Sequence, residues 1–142
     1  MDVEDLDADQ VEALLAAGRP YLDVRSEPEF VLGHPVGAYN VPLLFAGSIR
    51  FELNPRFAAV VLEHFHKEEL LILGCRSGNR SLEAAEVLAR AGFQRLAHLA
   101  VGFDGRRDAF GRRAPGWARL GKPVEVGDGG PRSYQALAAS VR

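Results

Sequence analysis

Residues 70–81 read LLILGCRSGNRS. An apolar run ends at Gly74 and the only cysteine of the chain follows at Cys75. Arg76, Ser77, Gly78, Asn79, Arg80 and Ser81 then complete a short polar loop before a helical pattern begins. At a strand–loop–helix junction the backbone N–H groups of the loop can point inward, and the helix N-terminus adds partial positive charge. A cysteine placed there feels those donors and the neighbouring Arg76 and Arg80. Each favours the thiolate, which is the nucleophilic form. The competing reading is a buried cysteine serving as a small apolar side chain. It fits poorly with two arginines and a glycine in the next five positions. The residues alone therefore point to thiolate chemistry on an anionic substrate. Sulfur transfer, phosphate hydrolysis and arsenate reduction all meet that description.

The elements that must hold this loop lie on both sides of it. Leu70 to Leu73 is a continuous apolar run, as expected of a strand buried on both faces of a parallel sheet. Ser81 to Ala91 reads as a helix stopped by Gly92, and Arg95 to Leu99 as the next strand. Upstream, Asp7 and Gln10 have capping-box spacing ahead of Val11, Leu14 and Leu15, which predicts a first helix ending at Gly18. Tyr21 to Val24 reads as a strand, and Ser26-Glu27-Pro28-Glu29 starts a short helix that ends near Gly33. Tyr39 to Val41 is a further short strand. Residues 43–53 read equally as loop or helix, and Asn54-Pro55 opens a helix to about Phe65. This alternation predicts an α/β fold with a mostly parallel sheet. Residues 102–116 are rich in Gly and Arg and read as a long loop. Trp117 to Leu120 reads as a helical turn and Val124 to Val126 as a short segment. Residues 127–133 read as a linker and 134–142 as a short helix or loose tail.

The 142 residues suit one domain, and a formal net charge of −2 gives no bulk attraction for nucleic acid. The acidic N-terminus has no signal-peptide pattern, and no apolar run reaches the length of a membrane span. One cysteine cannot form an internal disulfide, and no Cys-x-x-Cys pair exists for zinc. These features lead to the expectation of a cytoplasmic protein with a reduced thiol. His64 and His66, two apart on a helix, do not share a face, so no metal site is expected. Arg106, Arg107, Arg112 and Arg113 are expected to be solvated loop residues rather than a partner-binding patch.

Cys75 to Ser81 resembles the active-site loop of the single-domain rhodaneses, the thiosulfate sulfurtransferases. Two further stretches are similar to the same family in the same order. One is Asp23-Val24-Arg25-Ser26-Glu27-Pro28-Glu29-Phe30 with Gly33-His34 and Gly37-Ala38-Tyr39-Asn40-Val41-Pro42. The other is Gly102, Trp117 and Gly121-Lys122-Pro123-Val124. A Gly-Gly pair usual before the tryptophan is absent, and Trp117 arrives only after the Arg-rich insertion. The resemblance implies a rhodanese-like three-layer fold, with a central five-stranded, mostly parallel sheet and helices on both faces. It implies one domain over residues 1–126 with an insertion loop at about 103–116, followed by a linker and tail at 127–142. It implies that Cys75 takes sulfur from thiosulfate as a persulfide and passes it to an outside acceptor, such as cyanide, a thiol or a sulfur-carrier protein. Backbone N–H groups of residues 76–80 would cradle that persulfide. Arg76 and Arg80 would attract the donor, and no cofactor is implied. Asp23 and Arg25 would tie loops together, and His34 would be a hydrogen-bonding turn residue. The first rival is a related phosphatase or arsenate reductase; rhodanese-like cell-cycle phosphatases place five residues between cysteine and arginine, whereas Cys75 and Arg80 enclose four. A non-catalytic binding module commonly lacks the cysteine, which this chain keeps.

Overall fold

In the computed structural model, residues 3–46 and 51–141 are described. Five strands form the central sheet: β1 (Val3–Leu6), β2 (Tyr21–Asp23), β4 (Tyr39–Asn40), β7 (Leu70–Gly74) and β8 (Arg95–Leu99). Their spatial order is β1-β8-β7-β2-β4, and every pairing is parallel. β7 lies at the centre and all five of its residues are buried. Its side chains alternate between two cores. Leu71 and Leu73 join one cluster, and Leu70 and Ile72 join the other. A strand buried on both faces needs no polar alternation, which is why LLILG reads as an unbroken apolar run.

Helices cover both faces of the sheet. On one face, α1 (Ala8–Ala16) and α2 (Glu27–Leu32) contribute Val11 and Phe30 to the core. On the other, α3 (Phe57–His64), α4 (Asn79–Arg90) and α5 (Tyr134–Ala139) contribute Val60, Val61, Ala84, Leu88 and Leu137. The capping box that starts α1 is formed: the Asp7 carboxylate accepts from the Gln10 N–H at 2.8 Å, and the Asp7 N–H donates back to the Gln10 side chain at 2.9 Å. Short strands complete the chain. β3 (His34–Pro35) pairs with β11 (Val124–Glu125), β5 (Leu44–Ala46) with β6 (Phe51–Leu53), and β9 (Gly105–Arg107) with β10 (Arg113–Pro115).

The structure departs from the sequence reading at several elements. The acidic N-terminus supplies β1, because Val3 and Leu6 reach the two cores while Glu4 and Asp5 stay exposed. Residues 43–53 are neither loop nor helix where they are described but an antiparallel pair; 47–50 lie outside the described residues. α4 begins at Asn79, two residues before Ser81. The insertion at 103–116 is a β-hairpin rather than a loop. The Asp108 carboxylate accepts from the N–H groups of Phe110 and Arg112 at 2.9 and 2.8 Å, and this closes the turn. The segment 127–133, expected to be a linker, carries a 3₁₀ turn (Gly130–Arg132), and of the two readings of 134–142, short helix or loose tail, the structure has the helix, α5. Ser133 caps α5, Tyr134 and Leu137 enter the core, and Arg56 donates to the carbonyls of Ala138 and Val141. Apolar burial and these ties hold α5 against α3. No described helix is long and apolar enough to cross a membrane.

Candidate active site

Gly74 ends β7 next to Tyr21: a Cβ at Gly74 would lie 1.6 Å from the Tyr21 hydroxyl. The strand therefore passes the Tyr21 ring only as glycine. Burial, followed by the charge of Asp23, raises the Tyr21 phenol well above its ordinary value, so it is neutral. Its hydroxyl has no hydrogen-bond partner among the described residues.

Cys75 follows, 2% exposed. The loop then folds back so that its backbone donors meet the sulfur. The Gly78 N–H lies 3.1 Å from Sγ and the Ser81 N–H 3.3 Å. Gly78 adopts φ +101°, and a Cβ there would lie 2.6 Å from the Ala100 carbonyl oxygen. Only glycine combines that backbone with that close approach. Gly78 is also the N-cap of α4, so the positive end of a twelve-residue helix faces the thiol. Hydrogen bonds from N–H groups and a helix N-terminus both favour an anionic sulfur.

The two loop arginines are held by carboxylates outside the loop. Exposed Arg76 donates to Asp104 at 2.8 Å. Arg80 grips Glu29 with two bonds, at 2.6 and 2.9 Å. Burial pushes the Glu29 carboxyl up, but the bonds and charge of Arg80, with Ser26 adding two more bonds, overcome this and hold it at about 2. Ser77 is half-buried and Asn79 exposed on the rim of the loop.

Asp23 and Arg25 are buried together, with a 2.7 Å bond between them. The Arg25 guanidinium also donates to the Gly33 carbonyl at 2.6 Å and stacks 4.5 Å over the Phe103 ring. It thereby ties the end of β2 to the end of α2 and to the segment that follows β8. His34 is buried against Phe30, with ring centroids 3.6 Å apart, and its ring nitrogens meet the Phe30 carbonyl and the Glu125 carboxylate. The structure uses His34 to join α2 to β11 rather than in the cysteine loop. A cavity of about 290 Å³ opens beside the loop, lined by Arg25, Glu29, Leu32, Gly33, Arg76, Phe103 and Asp104.

Two residues that the sequence reading passed over complete the site. The Ser81 hydroxyl lies 3.5 Å from the Cys75 sulfur and 2.8 Å from His98 Nδ1; His98 Nε2 lies 2.6 Å from the Asp5 carboxylate. A carboxylate only accepts, so His98 Nε2 carries a proton toward Asp5, while Nδ1 shares a hydrogen bond with the Ser81 hydroxyl, which also lies 3.0 Å from the Gly78 carbonyl. His98 is 1% exposed, whereas the Asp5 side chain is 73% exposed. A hydrogen-bonded line thus runs from the buried sulfur to solvent. Asp5 and His98 are register partners across β1 and β8, so sheet pairing puts them on one face. No local spacing signals them, because they lie 93 residues apart.

A buried thiol under backbone donors, at the C-terminal end of a central parallel strand, is a site whose family can be tested directly. A family model, the Rhodanese-like domain, matches residues 7–109. The chain belongs to the rhodanese-like domain family. It is 38% identical over 113 residues to Thiosulfate sulfurtransferase 16, chloroplastic, of Arabidopsis thaliana, a match covering 80% of this chain and 85% of that protein. It is 42% identical over 90 residues to Senescence-associated protein DIN1 of Raphanus sativus, covering 63% of this chain and 49% of that protein. Among solved structures, Rv0390 from M. tuberculosis superposes with a TM-score of 0.72 at 31% identity, covering 89% of this chain and all of that one. In this rhodanese-like domain the match ends inside the β9–β10 hairpin, so residues 110–142 lie beyond it.

Proposed function

We propose that this rhodanese-like domain is a sulfurtransferase that carries sulfur as a persulfide on Cys75, with thiosulfate as donor. The observation that carries the reading is the Cys75 sulfur itself, which meets two backbone N–H groups and the end of α4 in a buried loop. The relative named Thiosulfate sulfurtransferase 16 supports the choice of donor.

The chemistry follows from the contacts. The thiol proton passes to Ser81, whose own proton passes to His98, and the resulting imidazolium faces Asp5. Cys75 thiolate attacks the outer sulfur of thiosulfate. A sulfur–sulfur bond forms, the bond to the sulfonate sulfur breaks, and sulfite leaves with its electron pair. The terminal persulfide sulfur is anionic, and the inward N–H groups of the loop solvate it. Arg25 and Arg76 line the adjoining cavity, each already paired with a carboxylate, and offer the donor guanidinium N–H groups rather than unpaired charge. The chain has no second cysteine to form an internal disulfide, so the acceptor comes from outside. The four-residue spacing between Cys75 and Arg80 favours one sulfur over a tetrahedral oxyanion.

The test is steady-state thiocyanate formation from thiosulfate and cyanide, run beside hydrolysis of an aryl phosphate. Sulfur transfer without phosphate hydrolysis is expected. Hydrolysis without sulfur transfer would overturn the reading.

A further inference from the structure

The hairpin β9–β10 builds a second cavity, of about 210 Å³, lined by Arg76, Asp104, Gly105, Arg106, Arg107, Arg113 and Arg119. Five arginines surround it and one carboxylate, Asp104, faces them. That carboxylate is already engaged by Arg76. Among the described residues, Arg106 and Arg107 donate only to backbone carbonyls, of Ala100 at 3.4 Å and Gly111 at 2.8 Å. Arg113 and Arg119 have no side-chain hydrogen bond or ion pair among the described residues. About four positive charges are therefore left without a counter-charge in a chain whose formal net charge is −2.

The hairpin register sharpens this. Arg107 and Arg113 are direct cross-strand partners. Like charges in such positions destabilise a hairpin. A pair that weakens its own hairpin is explained by a ligand that neutralises it. An anion entering the cavity would receive forked guanidinium donors from several directions, the arrangement in which arginine binds carboxylate and phosphate most strongly.

We propose that this cavity seats the anionic arm of the sulfur acceptor, a small thiol carrying two or more acidic groups. The inference rests on the persulfide reading of Cys75. It assigns the cavity to the acceptor rather than the donor for a geometric reason. Arg76 and Asp104 line both cavities, so the two adjoin across that ion pair. Thiosulfate is compact and must bring its outer sulfur to Cys75. A ligand that uses both cavities at once must be longer, with its thiol at the cysteine and its acidic groups at the hairpin. The acceptor thiolate then attacks the outer persulfide sulfur. A new sulfur–sulfur bond forms on the acceptor, the bond to Cys75 breaks, and its electron pair stays on Cys75 as thiolate.

The experiment loads the whole protein with thiosulfate, checks the added sulfur by intact mass, and measures single-turnover sulfur removal. The two acceptors are N-(3-mercaptopropanoyl)aspartate, whose two carboxylates stand several bonds beyond the thiol, and neutral 2-mercaptoethanol. Wild type is compared with the Arg113→Ser/Arg119→Ser variant. The ratio of the two rates is the readout, so differences in intrinsic thiol reactivity cancel between proteins. The ratio is expected to fall at least about tenfold in the variant, and in wild type to fall as salt rises. An unchanged ratio, or equal losses with both acceptors, would overturn the inference. Failure of wild type to take up sulfur would instead defeat the persulfide reading. Calorimetric titration with N-(3-mercaptopropanoyl)aspartate then judges the cavity separately. Binding to wild type that is lost in the variant would uphold an anionic seat, and no binding would overturn it.

Discussion

The cysteine loop and the β9–β10 hairpin border one cleft and both are rich in arginine, yet they treat charge in opposite ways. In the loop, Arg76 and Arg80 each meet a carboxylate, Asp104 and Glu29. Positive charge there fixes geometry, while the groups aimed at the sulfur are backbone N–H groups. Among the described residues, Arg112 is the one hairpin arginine with a carboxylate, Asp108, at 3.2 Å. Arg107 faces Arg113 across the strands. A satisfied site is rigid before its substrate arrives. An unsatisfied one becomes complete only when a ligand does.

The largest effect that bears on this contrast belongs to the nucleophile. Cys75→Ser should lower thiocyanate formation on the order of 10⁴-fold or more with the fold intact, as judged by circular dichroism. Substantial turnover by the Ser variant would remove the loop from the chemistry.

Next comes the line behind the sulfur. His98→Asn keeps a hydrogen-bonding side chain at the position but offers no exchangeable imidazole proton. Persulfide formation should slow roughly 10- to 100-fold near neutral pH. The deficit should shrink at high pH, where the thiol ionises without help. His98 acts through Ser81 and is a positioning residue. A deficit equal at every pH would assign it a purely structural role.

A smaller effect concerns how the loop is braced. Glu29→Gln should cost about 1–3 kcal/mol of stability at pH 7, because it puts a neutral amide where the carboxylate accepts the two charged hydrogen bonds of half-buried Arg80. The folded carboxyl at about 2 lies below its ordinary value of 4.5, so its contribution is complete above 4.5 and is lost as pH falls toward 2. Denaturation midpoints of wild type and variant should converge over that window. A gap that persists at pH 2 would mean that Glu29 acts by packing rather than by charge.

The smallest effect runs the other way. Arg113→Thr removes the cross-strand repulsion with Arg107 and should raise stability by about 0.2–1 kcal/mol, most clearly at low salt. A loss of stability in urea melts would mean that the pair is already compensated within the fold.

The same contrast explains what could be read in the sequence. The loop was legible because its parts are adjacent: an apolar strand, Cys75, Gly78 and the helix after it. The sheet core was legible for a similar reason, since an unbroken LLILG has few alternatives. The hairpin was not legible. It carries no alternating apolar pattern, and it is held by backbone pairing and by the Asp108 side chain closing its turn. β1 was hidden because only Val3 and Leu6 of its four residues face apolar surroundings. α5 was one of two readings of 134–142, left open because its anchors, Arg56, Asn54 and His64, lie about 70 to 85 residues upstream. His98 looked like an ordinary residue of a buried strand. Its partners come from β1 and from the first turn of α4, and only the parallel register brings them together.

The central claim is that Cys75 carries sulfur as a persulfide, and its most direct measurement is mass. Folded wild-type protein is mixed with thiosulfate and its intact mass recorded, with peptide mapping to locate any addition. The protein is then treated with cyanide and weighed again. The expected result is a gain of one sulfur atom on the peptide that contains Cys75, removed by cyanide as thiocyanate. An unchanged mass, or sulfur that cyanide does not remove, would contradict the claim.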